Sequence, residues 1–454
     1  MLSTALKEQK IGTSNSSELL LMELSSVITS YLVVQLLLLG GLPAAPNNQA
    51  TMHMIISNLF ILMMTVHAQP ASFQIPPKMQ AVQCTGYGKN FEQILSVSQD
   101  GTVDTPRLGF DKPPAGFKDE MLIKVQAVAL APGDARVMSG KTREFQGPPS
   151  FPHIPGGDAC GIVVAVPEET KKGGQCKFRV GDRVAARFMN KPMGMLGEYA
   201  LCNTAVCDVV PKNVSSEDAA ALVSSAMVAV IIADRIREGD RVLIYGAGGG
   251  VGSHLCQMVR QKGASYVAGV GRDPQRLMEQ PISCDYAVDY TKTDPLSAKE
   301  WCDKPFDVII DLAGGAWPAL LQHLSSGRTS IVKSAKAKGR YLTTTPDNPI
   351  YEIHSVWALL KTFLFPSLRR AISSRIGFSR ASMPKYSYVL ALPETSEALT
   401  RTLALASEEK LVACIDPQGP FPFTSDGVRR AFELQASKHA KGKVVITVSS
   451  DKWE

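Results

Sequence analysis

An apolar stretch that runs into a glycine-rich turn, and then directly into a helical pattern, constrains this chain more than any other feature. The stretch is Arg241–Tyr245, the turn covers 246–250, and apolar spacing predicts a helix over 251–262. A diphosphate needs close backbone approach, free N–H groups and the positive end of a helix dipole, and this order of residues supplies all three. We therefore predict that a dinucleotide binds here. The predicted contacts are Gly246, Ala247, Gly248, Gly249, Gly250, Val251 and Gly252.

The residues after the next predicted strand, Tyr266–Val270, indicate which dinucleotide binds. NAD sites place an acid at the end of this strand, whereas NADP sites place cations there for the 2′-phosphate. Here Arg272 follows the strand directly and Asp273 comes late. Arg276 adds a second cation, and the hydroxyl of Tyr290 completes the predicted phosphate site. The pattern favours NADPH; the alternative is that both arginines are solvated surface residues.

Strands alternate with helices around the glycine-rich turn, which predicts a parallel sheet covered on both faces. Before the turn, short strands follow one another without helices, which predicts a barrel or a curled antiparallel sheet. A buried helix over 219–236, opened by a Ser cap at 215–216, separates the two regions. The further predicted strands are 79–84, 120–129, 160–166, 182–188, 198–202, 286–289, 306–312, 339–343, 412–415 and 443–448. The further predicted helices are 274–280, 316–326, 394–407 and 426–437.

The first 78 residues differ in composition from the rest. An apolar run over 19–42 is long enough to cross a bilayer as a helix, and a second over 54–66 has the length of a signal-peptide core. No acid lies between Glu23 and Glu92, as in organelle-targeting leaders. Three interpretations stay open: a leader that is removed, an anchor that is retained, or a start codon placed too early. We expect a mitochondrial or plastid location, or membrane association through this segment.

Charge and cysteine content bear on the partners and sites to expect. The 454 residues include 48 Lys and Arg against 42 Asp and Glu, a net charge of +6. Because no dense basic run is present, nucleic acid is not an expected partner. We expect most of the nine cysteines to be small buried hydrophobic residues. Cys202 and Cys207 are separated by four residues and the histidines are solitary, so we predict no metal site.

Six further motifs accompany the turn. They are Phe151-Pro152-His153-Ile154-Pro155-Gly156-Gly157-Asp158-Ala159-Cys160-Gly161, Val180-Gly181-Asp182-Arg183-Val184, Gly197-Glu198-Tyr199, Ala219-Ala220-Ala221-Leu222, Val288-Asp289-Tyr290 and Lys441-Gly442-Lys443-Val444-Val445. With them, residues 79–448 resemble the medium-chain dehydrogenase/reductase superfamily, specifically the zinc-free quinone oxidoreductases of the zeta-crystallin type. The resemblance implies an α/β fold with a GroES-like β-barrel catalytic domain and a Rossmann domain, whose parallel sheet is doubly wound. The implied organisation is a leader or anchor over 1–78, the barrel over 79–210, the Rossmann domain over 211–388 and a return to the catalytic domain over 389–450.

The same resemblance implies a reductase that works without zinc. Zinc alcohol dehydrogenases carry a Cys and a His ligand where this chain has the segments 131–134 and 157–158. Transfer of hydride from NADPH to a quinone or an α,β-unsaturated carbonyl compound (enone) is the implied reaction. An enoyl-thioester reductase and a low-turnover NADPH-binding scaffold are the alternatives. Ala131 and Val228 support the scaffold, because members of this type often carry Asn and Thr there.

Asp134 and Tyr199 are the candidate proton donors of such a reductase. A structural role for each is the alternative, and water is a further candidate donor.

A segment over 351–388 interrupts the pattern before the closing helices. It begins with an apolar, aromatic run over 357–366, and Arg369, Arg370, Arg375 and Arg380 follow. The segment is similar to a basic, aromatic insert in the organelle-associated branch related to the reticulon-interacting mitochondrial oxidoreductases. Three roles stay open: a lid over the substrate cleft, a contact with a membrane surface, or a subunit or core contact, for example in a homodimer.

Overall fold

Two sheets, with a long helix between them, organise the described part of the chain. The computed structural model describes residues 73–99, 101–108, 120–148, 150–166, 177–187, 193–348, 351–376, 382–390 and 396–449. Ala71–Glu454 forms one compact unit. Residues 1–72, nearly all of the predicted leader or anchor over 1–78, lie outside the described residues.

The strands are β1 Lys78–Met79, β2 Val82–Cys84, β3 Leu95–Val97, β4 Val103–Asp104, β5 Glu120–Leu130, β6 Asp158–Ala165, β7 Arg183–Ala186, β8 Tyr199–Asn203, β9 Cys207–Val209, β10 Arg241–Tyr245, β11 Tyr266–Val270, β12 Tyr286–Val288, β13 Val308–Asp311, β14 Arg340–Thr343, β15 Lys385–Tyr388, β16 Phe421–Pro422 and β17 Val444–Thr447. The helices are α1 Phe91–Ile94, α2 Pro132–Met138, α3 Arg143–Gln146, α4 Ser216–Ala233, α5 Gly250–Gln261, α6 Pro274–Met278, α7 Lys299–Asp303, α8 Ala316–Ser325, α9 Val356–Leu359, α10 Phe365–Ser373, α11 Glu397–Ser407 and α12 Ser425–Ser437.

The second half of the chain forms a parallel sheet of six strands in the order β12-β11-β10-β13-β14-β15. Its central strands are apolar and buried on both faces, as expected for a sheet with helices on each side. The chain moves from β10 to β11 on one side and later to β13 on the other, so the strand order reverses beside β10. The predicted doubly wound sheet is confirmed.

The other large sheet is mostly antiparallel and curled, and has seven strands: β5 to β9 from the first half of the chain, with β16 and β17 from its end. β5 is the longest strand and pairs with β6, β8 and β17. Since β17 comes from the end of the chain, the polypeptide returns to its first sheet after completing the second. This arrangement confirms the predicted barrel-type sheet and the predicted last strand.

The α4 helix begins at Ser215, whose side chain accepts a hydrogen bond from the Asp218 N–H, as the sequence predicts. Its residues are mostly Ala, Val, Ile and Leu, and they pack against both β5 and β6 of the curled sheet and against α5. In the described part of the chain it alone has the length and mean hydropathy of a membrane-spanning helix. Because two-thirds of it is buried inside the protein, we assign it as a core helix.

The predicted strand over 412–415 is wrong. Only Ile415 forms an isolated bridge, with Lys443. Side chains of α5 occupy the neighbouring backbone groups: Val412 N–H donates to Gln257 Oε1 and Cys414 N–H donates to the ring of His254. The segment is therefore tied to α5 on one side, and on the other it pairs only with Lys443, just before β17.

Candidate active site

The glycine-rich turn lies at the carboxyl end of β10, beside the point where the strand order reverses. Gly246 has a φ of +80°, in the left-handed region that favours glycine. Its N–H and that of Ala247 donate to the Val270 carbonyl at 3.1 and 3.2 Å, which ties the turn to the end of β11. Ligands of open α/β sheets bind in such a crevice at the switch point.

The turn combines tight packing on one side with open space on the other. A Cβ on Gly252 would lie 2.2 Å from the Gly246 oxygen and 2.7 Å from the Ala247 Cα, so α5 packs against the turn only with glycine at this position. A Cβ on Gly249 would meet nothing closer than the Gly246 oxygen, at 3.6 Å. The side of the turn at Gly249 is therefore bare backbone facing open space.

The first N–H groups of α5 are free to donate hydrogen bonds to a ligand in this space. Gly249 is the N-cap of α5 and contributes no side chain. The N–H groups of Gly250, Val251 and Gly252 have no acceptor among the described residues. Free donors at the positive end of a helix, beside bare backbone, fit the diphosphate of a dinucleotide.

The predicted phosphate-binding residues lie beside the turn. Arg272 is exposed, and its Nε donates to Tyr290 Oη at 2.8 Å. Arg276 is half-buried, and its Nη1 donates to the Gly248 carbonyl at 3.4 Å. The structure therefore brings Arg272 and Tyr290 together and connects Arg276 to the turn itself.

A third cation, Lys441, lies beside Arg276, and the sequence analysis did not predict it as part of this site. Lys441 Nζ lies 2.8 Å from Asp273 Oδ2, and Arg276 Nη2 donates to the Lys441 carbonyl. Asp273 also caps α6 by accepting from the Arg276 N–H, and these contacts, with that to Lys441 first, hold the pKa of Asp273 below its usual value. Asp273, the acid that would otherwise suit a ribose hydroxyl, is thus paired with Lys441, while the two arginines beside the turn fit a 2′-phosphate. The Lys441-Gly442-Lys443 motif was the sequence signal that could have indicated this residue.

Asp134 lies in a buried group of charges where the two sheets meet. It is almost fully buried on α2, and its Oδ2 accepts from the Ala131 N–H at 2.7 Å. Burial is the main cause that raises the pKa of Asp134 to about 7. Nearby Asp158 also raises it, whereas the Ala131 N–H and Lys443 lower it. The carboxyl therefore titrates near neutral pH.

Lys443 connects this group to the glycine-rich turn, and the sequence analysis missed that role. Its Nζ donates to the Leu130 carbonyl at 2.8 Å, and its stem packs on Gly250, where a Cβ would lie 2.9 Å from the Lys443 Cδ. Burial lowers the pKa of Lys443, although Asp158 and Asp134 act in the opposite direction.

The helix α4 contributes a hydroxyl to the same group. Ser224 donates to Asp158 from both its N–H, at 3.2 Å, and its Oγ, at 2.9 Å. Val228, one turn later, is half-buried and brings no polar group. The hydroxyl that this helix contributes to the charged group is therefore at position 224, not 228.

Tyr199 lies apart from Asp134. It is on β8 opposite Lys124 of β5, whereas Asp134 follows the end of that strand at Leu130. Six residues of strand correspond to roughly 20 Å. Burial raises the pKa of Tyr199. The structure does not bring these two candidate proton donors together.

His254 fixes the helix that carries the turn. It is fully buried; its Nε2 accepts from the Cys414 N–H at 3.0 Å, and its Nδ1 lies 3.2 Å from Ser225 Oγ. Since Ser225 donates its own proton to the Ala221 carbonyl, Nδ1 is the protonated nitrogen. Burial lowers the pKa of His254 to about 3, so the ring is neutral. One imidazole thus joins α4, α5 and the segment around Cys414.

Among the described residues, no group of three or more His, Cys, Asp or Glu side chains is arranged to hold a metal ion. Seven of the eight cysteines within the described ranges are buried, which agrees with the expectation for most of them. Zinc independence stays a prediction.

The insert touches the helix that carries Asp134. The Arg136 guanidinium lies 4.4 Å from the centre of the Tyr351 ring, and the Ile353 N–H donates to the Lys141 carbonyl at 2.9 Å. The start of the insert therefore reaches α2 and the loop behind it.

The chain matches two protein families and several known proteins. Residues 117–212 match the family described as alcohol dehydrogenase GroES-like domain, and residues 282–446 match the family described as zinc-binding dehydrogenase. The chain is 28% identical over 385 residues to the chloroplastic NADPH-dependent alkenal/one oxidoreductase of Arabidopsis thaliana, covering 83% of this chain and 81% of the relative. It is 25% identical over 377 residues to the chloroplastic quinone-oxidoreductase homolog of Spinacia oleracea, covering 81% of this chain and 98% of the relative.

Among solved structures, the quinone oxidoreductase from Coxiella burnetii superimposes with a TM-score of 0.57 at 22% identity. The match covers 82% of this chain and all of that one. It confirms the fold class.

Proposed function

This chain belongs to the medium-chain dehydrogenase/reductase superfamily, and from that premise we propose that it is an NADPH-dependent reductase of quinones or α,β-unsaturated carbonyl compounds. The main observation in support is the turn at Gly249, where free backbone N–H groups face open space and Arg272 and Arg276 lie alongside. The names of the two relatives, an alkenal/one oxidoreductase and a quinone-oxidoreductase homolog, supply the substrate classes.

One set of residues binds the cofactor, and another supplies the proton that the reaction needs. The N–H groups of 250–252 hold the diphosphate, and Arg272 and Arg276 hold the 2′-phosphate. Lys441, paired with Asp273, keeps that carboxylate from repelling the phosphate. NADPH, when bound, supplies a hydride, and the substrate takes up one proton to complete the two-electron reduction. Asp134 is our candidate for that proton, because its carboxyl carries one on Oδ up to about neutral pH. Tyr199 is the weaker candidate because of its distance along the sheet.

A low-turnover NADPH-binding scaffold is the second candidate. Ala131 and Val228 favour it, since neither brings a polar side chain to the site. An enoyl-thioester reductase would use the same hydride chemistry on a larger substrate.

We also propose the barrel over 79–210, the Rossmann domain over 211–388 and the return over 389–450 as the domain boundaries. An organelle location, membrane association and a homodimer complete the proposal. The acid-poor N-terminal segment and the chloroplastic relatives support the organelle.

NADPH oxidation by the full chain against matched panels of quinones, enals and enones, and enoyl thioesters tests the function. Turnover of the first two panels, with little on the third, is the expected result. Tight NADPH binding without turnover on any panel would support the scaffold instead, and preferred turnover of thioesters would support the enoyl-thioester reductase.

A further inference from the structure

The insert between β14 and β15 forms a helical rod on the protein surface. α9 passes into a π-helical turn, Leu360–Leu364, and then directly into α10. Pro366 lacks the N–H that an α-helix needs, and a π-helical turn immediately before it accommodates the gap. The rod is therefore continuous from Val356 to Ser373.

One side of the rod is fixed to the protein. Arg370 binds the Asp347 carboxylate with both terminal nitrogens and lies 5.7 Å from the centre of the Tyr386 ring. The Ser374 hydroxyl accepts from the Tyr386 N–H at 3.0 Å. Phe363 packs edge-on against Tyr351, with ring centres 5.1 Å apart. These contacts hold the rod in one orientation.

The other side, which we call the insert face, is apolar and exposed. The insert face consists of large side chains of the rod, with Ile376 just beyond its end, that are between 37% and 67% exposed: Val356, Trp357, Leu359, Leu364, Phe365, Leu368, Ile372 and Ile376. Single exposed apolar residues are ordinary, but eight large ones between 356 and 376 mark a surface that another apolar body covers.

The charged side chains that the rod and the residues just after it carry are all positive. Lys361, Arg369 and Arg375 are exposed along the rod, and no Asp or Glu occurs between 353 and 376. A second copy of the same face would bring like charges together, which disfavours a symmetric dimer through it. A bilayer with anionic lipids satisfies both features, since headgroups attract the cations while the hydrocarbon boundary takes up the apolar side chains.

We propose that the insert face docks on an anionic lipid bilayer. Trp357 and Phe365, whose ring centres are 5.4 Å apart, lie at the interface between headgroups and acyl chains. Because the start of the insert contacts Arg136 on the helix of Asp134, docking places the substrate site next to the membrane. The substrate class that follows, which rests on the proposed function, is a lipophilic quinone or enone dissolved in the bilayer.

Fluorescence of Trp357 in the full chain tests docking independently of the N-terminal segment. Trp301 and Trp317 are buried, so a Trp453→Phe background leaves Trp357 as the one exposed tryptophan. Vesicles of phosphatidylcholine and phosphatidylglycerol with brominated acyl chains should quench its emission and shift it to the blue. Arg369→Gln with Arg375→Gln should weaken binding by roughly a factor of 30. The control, Leu321→Ser on α8, removes an exposed leucine elsewhere and should leave binding unchanged.

If the emission of Trp357 is not quenched by the brominated vesicles, the proposal is overturned. This holds even if the protein sediments with the vesicles, because the N-terminal segment would then be what binds them. Concentration-dependent self-association that shields Trp357 in the absence of lipid would also overturn the proposal, because the occupant would then be a second copy. Turnover of a water-soluble quinone should be the same in the arginine variant and the wild type, whereas turnover of a long-tailed quinone in vesicles should fall. Absence of all turnover, with quenching retained, would contradict the proposed function but not the docking.

Discussion

At the scale of single residues, Gly249 and Gly252 of the same turn have different roles. Gly252 is required by packing, because a Cβ there would collide with the Gly246 oxygen, whereas a Cβ on Gly249 would enter open space. The same pattern of glycines thus contains one residue that packing requires and one that leaves the space in which we propose the diphosphate binds.

Gly249→Val is expected to fold normally and to lose NADPH binding, because the side chain fills the space beside the free N–H groups. Gly252→Val is expected to lower the melting temperature, since helix and turn must separate. NADPH titration by fluorescence and thermal unfolding, applied to both variants, separate the two effects. Wild-type affinity in Gly249→Val would show that the diphosphate binds elsewhere.

The cations beside the turn should discriminate between the two dinucleotides. Arg272→Ala with Arg276→Ala is expected to weaken NADPH binding at least tenfold more than NADH binding, because only NADPH carries the 2′-phosphate. Dissociation constants for both cofactors measure the difference. Arg369→Ala, an exposed arginine of the insert, is the matched control, and an equal loss for both cofactors would contradict the assignment.

At the scale of elements, His254 links α4, α5 and the segment at Cys414. His254→Ala is expected to destabilise the protein by about 1–3 kcal/mol, because the Cys414 N–H and the Ser225 hydroxyl lose a buried partner. Urea unfolding measures the loss. His439 is exposed, so His439→Ala should be neutral; equal stability of the two variants would show that the link contributes nothing.

Local sequence pattern predicted five of the six strands of the parallel sheet, including β12 at one edge, and missed β15 at the other. β10 and β11 coincide with their predicted bounds, because a buried parallel strand must be a short apolar run. β15, at the edge of the sheet, has the sequence Lys-Tyr-Ser-Tyr, and its strand state comes from pairing with β14. The segment 412–415 is apolar like a strand, but hydrogen bonds from α5 decide its conformation. Such long-range partners are not visible in local sequence.

At the scale of the whole molecule, the site is assembled from distant parts of the chain. Asp134 follows the long strand of the curled sheet, Gly250 begins the helix after the turn, and Lys443 arrives with the returning strand. The sequence predicted Asp134 and the turn, because each lies in a recognisable motif. It did not predict Lys443 as their link, since that role exists only after the last strand pairs with β5.

Lys443→Met tests this assembly through the pH dependence of turnover. Below pH about 7 the Asp134 carboxyl holds its proton and above it the proton is lost, so kcat of the wild type should fall as pH rises through about 7. Lys443 lowers the pKa of Asp134; its replacement by an uncharged side chain of similar length should raise that pKa and move the fall in kcat to higher pH. Lys441→Met, two residues away, should raise the KM for NADPH without moving the profile. An unchanged profile in Lys443→Met would mean that the proton reaches the substrate from a group other than Asp134.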